Sequence, residues 1–108
     1  MAQCSGENTD AAIDACRKVI ETRRVPRDVL VMAYLNRAAA RAQRNELDAA
    51  LADLNEAVRL DPRSVAGFVA RADLFARRSE LDRAFADYAS AISIASDPSP
   101  ALRARAAL

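Results

Sequence analysis

The side chains of this 108-residue chain that could do chemistry are two cysteines, ten aspartates, five glutamates and fifteen arginines; histidine is absent. Without an imidazole there is no Ser-His-Asp or Cys-His nucleophile system and no histidine metal ligand. Two cysteines cannot form a four-thiolate metal site. Carboxylate pairs remain, Asp48 with Asp53 and Asp82 with Asp87, and their five-residue spacing reads as solvent-facing turns. The same pair occurs twice. An active site is built once, whereas a recurring pair belongs to a structural repeat. The chain is therefore expected to be no enzyme and to need no cofactor or metal.

Cys4 and Cys16 leave two readings. Cys16 shares an apolar stripe with Ala12 and Val19, where a free thiol serves as a small hydrophobe. That reading gives Cys4, in a polar Ser-Gly-Glu-Asn stretch, nothing to do. A helix starting near Asp10 leaves six residues for the chain to fold back across roughly 9 Å of helix to Cys16. The resulting loop would contribute about 3 kcal/mol by chain entropy. A Cys4–Cys16 bridge is the favoured reading, with two free thiols as the alternative. A bridge fits a periplasmic or secreted origin, and free thiols a cytoplasmic one.

These residues must be carried by helices. Alanine supplies 26 residues against two glycines, four prolines, five aromatics and no tryptophan. Alanine is the best helix former and glycine the usual breaker, so an all-α fold with small-residue packing is expected. At this length the chain is one domain, residues 1–108. No apolar run approaches the roughly 18 residues that span a bilayer, so no membrane span is expected. Met1-Ala2-Gln3-Cys4 lacks the basic start and apolar core of a signal peptide. A mature segment beginning behind a new Met would read the same way.

Shifting the chain by 34 residues superposes Tyr34 on Phe68, Arg37 on Arg71, Ala38 on Ala72, Asp53 on Asp87 and Val58 on Ile92. Ala50 falls on Ala84 and Leu54 on Tyr88. An alanine-rich chain matches itself by chance, so the aromatic, Arg, Asp and β-branched coincidences carry the evidence. Each copy divides into two helices. In the first, Leu30, Tyr34, Leu35, Ala38 and Ala42 form a stripe, with Asp28 or a neighbour as cap. A break at Asn45-Glu46 precedes Leu47, Leu51, Leu54 and Val58. Asp61-Pro62 ends that helix and Ser64 caps the next. The second copy repeats the scheme, with its break near Arg78-Ser79.

Helices are expected near 10–22, 29–43, 47–60, 65–77 and 81–94, with a short one near 101–107. Turns of three to four residues make the two helices of a copy antiparallel neighbours. Ala38, Ala50, Ala72 and Ala84 fall where their axes cross. The repeats span 29–64 and 65–98. Residues 4–24 form a partial N-terminal unit resembling a second helix, with Thr9 as cap. Ser99-Pro100 opens a short or truncated capping helix over 99–108.

The copies resemble the tetratricopeptide repeat in a bacterial variant. Tyr34 and Phe68 match its first aromatic, Asn45 and Ser79 stand at its turn glycine, and Ala50 and Ala84 match its second-helix alanine. Ala57 and Ala91 match the next alanine, and Pro62 closes the first unit. Arg37 and Arg71 replace a family leucine, Ala38 and Ala72 a glycine, and Arg41 and Phe75 occupy an aromatic position. The resemblance implies a short right-handed superhelix, an α-solenoid, whose concave face is lined by first helices. Carried over, that face is Met32, Leu35, Asn36, Ala39, Ala42 and Gln43, then Ala66, Val69, Ala70, Asp73, Ala76 and Arg77. Of the family's carboxylate-clamping positions only Asn36 keeps a fitting residue. The arrangement at Cys4 also resembles exported bacterial repeat proteins whose mature chain begins near a cysteine.

The function implied is a non-catalytic scaffold binding a protein or peptide, as a helix or extended segment, on that face. Alternatively Met32, Leu35 and Val69 pack within a larger assembly, the chain being a structural spacer. An RNA-binding helical repeat is a third class. Sixteen basic against fifteen acidic residues, interspersed throughout, give no basic patch, so no nucleic-acid partner is expected. Ion pairs along each helix, such as Asp10 and Asp14 with Arg17-Lys18, should absorb most of the charge. A homodimer through open repeat ends is possible.

Overall fold

A computed structural model describes residues 4–5, 10–22, 24–95 and 104–106. It is all-α. The helices are α1 (Asp10–Thr22), α2 (Arg27–Gln43), α3 (Leu47–Leu60), α4 (Val65–Arg77) and α5 (Leu81–Ile94). Residues 104–106 are also helical, a sixth helical segment. Thr9, Pro98, Ser99, Pro100 and most of the expected capping helix lie outside the described residues. No described helix is long and apolar enough to cross a membrane.

Contacts divide the chain into two compact units, Met1–Asp61 and Pro62–Leu108. In the first, α1 packs on α2 and α2 on α3; in the second, α4 packs on α5. Three-residue turns join α2 to α3 and α4 to α5, so each pair runs antiparallel. Each core is a seam of small residues. Ala38, Ala50 and Ala57 are buried in the first unit, and Ala72, Ala84 and Ala91 in the second. Close helix approach is what the alanines permit, and larger side chains there would overpack it.

The turns explain where the helices stop. Asn45 and Ser79 have φ of 61° and 62°, the left-handed conformation that reverses a helix end. Asn45 N–H donates to the Ala42 carbonyl and Glu46 N–H to that of Arg41; Ser79 and Glu80 do the same to Ala76 and Phe75. Both are Schellman motifs, closing the orphan carbonyls of the preceding helix. Ser64 caps α4, its hydroxyl accepting from Gly67 N–H at 3.0 Å. Helix α2 departs from expectation. It begins at Arg27, with Pro26 at the cap position and no side-chain cap bond. Asp28 lies within its first turn, where its negative charge suits the positive end of the helix dipole. Proline fixes φ at that position, and its carbonyl accepts the first helical bond, from Leu30 N–H at 3.0 Å.

Candidate functional site

The repeated chemistry lies in the seams of the helix pairs. Asp53 sits on the buried stripe of α3 with Ala50, Leu54 and Ala57, and Asp87 on that of α5 with Ala84, Tyr88 and Ala91. Asp53 is 2% exposed and Asp87 6%, which corrects their reading as solvent-facing carboxylates. Their partners lie across each pair. Arg37 grips Asp53 with two bonds, Nη2 to Oδ1 at 2.6 Å and Nε to Oδ2 at 3.0 Å. Arg41 Nη1 adds a third at 3.0 Å. Arg71 grips Asp87 in the same forked way, at 2.7 and 2.8 Å. Asp87 is the leading cause that raises the Arg71 pKa above the usual arginine value.

An aromatic ring completes each clamp. The Arg37 guanidinium stands 5.7 Å from the Tyr34 ring centre and that of Arg71 5.6 Å from that of Phe68. Ring, guanidinium and carboxylate thus recur as a unit at the repeat pitch. A buried carboxylate needs such a partner because its desolvation is otherwise costly. The other members of the carboxylate pairs, Asp48 and Asp82, occupy the exposed first turns of α3 and α5, where the helix dipole favours negative charge.

Chemically, this arrangement locks helices; the forked guanidinium occupies both carboxylate oxygens in each seam. Among the described residues, no cluster of three or more His, Cys, Asp or Glu could hold a metal ion. A signal for the clamp was present in the sequence. Arg37 and Asp53, like Arg71 and Asp87, are sixteen residues apart in both copies, and each aspartate falls at an apolar-stripe position.

The first-helix faces are mixed in character. On α2, Met32 is 61% exposed, Ala39 and Gln43 are exposed, and Leu35, Asn36 and Ala42 are half-buried. On α4, Ala66, Asp73 and Arg77 are exposed, while Val69, Ala70 and Ala76 are half-buried. Two of these polar residues are already engaged. Asn36 Nδ2 donates to the Cys4 carbonyl at 3.1 Å. The Asp73 carboxylate accepts from the Tyr88 hydroxyl. Burial, then this bond, pushes the Tyr88 hydroxyl well above the usual tyrosine range.

Cys4 and Cys16 form a disulfide, resolving the choice between bridge and free thiols. Asp10 also corrects the charge reading, pairing not along α1 but with Arg44 at 2.5 Å. Asp14 does pair with Arg17 and Lys18, and the bond from Arg17 holds its carboxyl below the usual range. A cleft lined by Ile20, Glu21, Leu30, Tyr34, Glu56, Arg59 and Leu60 opens in the first unit. Phe68, Ser90, Ser93 and Ile94 line one at the equivalent positions of the second. Its recurrence marks it as a consequence of how the helices pair.

Comparison with protein-family models, curated proteins and solved structures finds no match to this chain. Fold and seams define a class: an all-α protein of neighbour-packed helices, built on a repeated helix pair and compatible with a generic helical solenoid or bundle.

Proposed function

We propose that the chain is a short tetratricopeptide-like solenoid acting as a non-catalytic interaction module that holds a peptide or helix against its first helices. The observation that carries the reading is Met32, a large apolar side chain left 61% exposed in a protein that buries alanines completely. Leu35 lies one turn away on the same stripe, with Gln43 further along. Ala66, Val69 and Arg77 stand at the corresponding positions of the second copy, with Asp73 at that of Ala39. An apolar centre with a polar margin suits an amphipathic helix or extended segment. The 34-residue pitch and the left-handed turn residues Asn45 and Ser79 support the family reading. The disulfide supports a periplasmic or secreted setting.

Cross-linking capture from the source cells, with wild type and Met32→Arg side by side, tests the proposal. A defined protein partner recovered by wild type and lost with the variant, at unchanged helix content, supports it. Equal recovery by both, or salt-sensitive recovery of RNA alone, contradicts it.

A further inference from the structure

Helix α1 is held differently from the others. Its buried side chains are two small ones, Ala12 and Cys16, against five in α3. Its polar ties to α2 are slight: Asp10, the partner of Arg44, has a side chain 89% exposed, so solvent and salt weaken that pair. What fastens the N-terminal segment is the Cys4–Cys16 bond, together with Asn36 Nδ2 on the Cys4 carbonyl. Cys4 Sγ lies 3.9 Å from the Ala33 carbonyl oxygen, so the bridge rests on the flank of α2. The α2–α3 seam has its own clamp in Arg37, Arg41 and Asp53.

We propose that the Cys4–Cys16 bridge is a redox latch. Oxidised, it keeps α1 on α2; reduced, it lets α1 leave while α2 and α3 stay paired. The face this uncovers carries Ala33 and Asn36, both in contact with Cys4 while the latch is closed. The reductant is a dithiol. Cys16 is fully buried and Cys4 half-exposed, so a thiolate of the reductant attacks the Cys4 sulfur. The S–S bond breaks, and the Cys16 sulfur leaves with the bonding pair and takes a proton. The second thiol of the reductant then displaces Cys4 from the mixed disulfide. The products are a cyclic disulfide and two protein thiols; two electrons and two protons have moved to the protein.

Hydrogen exchange read by mass spectrometry on the full chain tests the latch, comparing oxidised protein, dithiothreitol-reduced protein and Cys4→Ser. The variant leaves Cys16 in place as a packing residue. The bridge spans a sequence separation of 12, so its loss is expected to speed exchange in Asp10–Thr22 by roughly 100-fold on the chain-entropy model. Exchange in Leu47–Leu60 should stay within about threefold of the oxidised protein, as for an independently stable segment. Unchanged protection of α1 in both reduced forms would overturn the proposal. So would equal loss of protection in α3, or failure of Cys4→Ser to fold, since either makes the bridge a staple for the whole unit.

Discussion

The two helix pairs solve one packing problem with different side chains. In α2–α3, Asp53 is gripped by two guanidinium groups, Arg37 and Arg41, and the neighbouring seam position is Leu54. In α4–α5, Asp87 meets Arg71, while Phe75 stands where Arg41 would be and Tyr88 where Leu54 would be. The second pair exchanges a cation and an aliphatic residue for two aromatic rings. Both rings bring accessory contacts: Arg83 lies 5.8 Å from the Phe75 ring centre, and Tyr88 bonds Asp73, which replaces Ala39 of the first copy. The forked Arg–Asp pair and the alanine seam are common to both. What must be kept is the charge pair across the close approach; what surrounds it can be polar or aromatic.

The largest separation between the pairs should come from removing the carboxylates. Asp53→Ala takes the shared carboxylate from two half-buried guanidinium groups and is expected to cost about 4–5 kcal/mol; Asp87→Ala takes it from one and should cost about 3 kcal/mol. Urea unfolding of each variant measures this. Equal costs would show that Arg41 adds nothing to the first clamp.

Next comes the aromatic substitution itself. Tyr88→Phe removes the bond to Asp73 and should cost about 1 kcal/mol at neutral pH. It should also change the alkaline limb. Because Tyr88 holds its proton above the ordinary tyrosine pKa near 10, the unfolded chain sheds that proton first as pH rises. Stability contributed by the neutral hydroxyl is therefore complete below about pH 10 and is lost above it. Unfolding followed from pH 8 to 11 should show a shallower decline in Tyr88→Phe than in wild type.

The smallest difference lies in the turns. Ser79 and Asn45 share a left-handed φ, but asparagine tolerates it better than serine. Ser79→Gly should gain about 1 kcal/mol and Asn45→Gly about half of that, read as thermal midpoints.

Much of this architecture was legible in the sequence because helix period, alanine spacing and turn residues are local signals. The bounds of α1, α3, α4 and α5 follow from them, and α2 differs only by the two residues that Pro26 adds at its start. Ser64 could be assigned because a serine cap acts on its own turn. The burial of the seam aspartates is not legible along single helices, where ion pairs form at spacings of three or four residues. Arg37 and Asp53 meet only after the chain has reversed at Asn45, so their contact is invisible to any one-helix window. The same holds for Asp10 and Arg44, and for Asn36, whose partner Cys4 lies 32 residues away.

A double-mutant cycle on Arg71 and Asp87, the clamp with one guanidinium, tests the central claim most directly. Unfolding free energies of wild type, Arg71→Met, Asp87→Leu and the double variant give the coupling across the seam. A locking pair predicts a coupling of about 2 kcal/mol or more, with the double variant recovering much of what either single loses. Single effects that add to within about 0.5 kcal/mol would contradict the account.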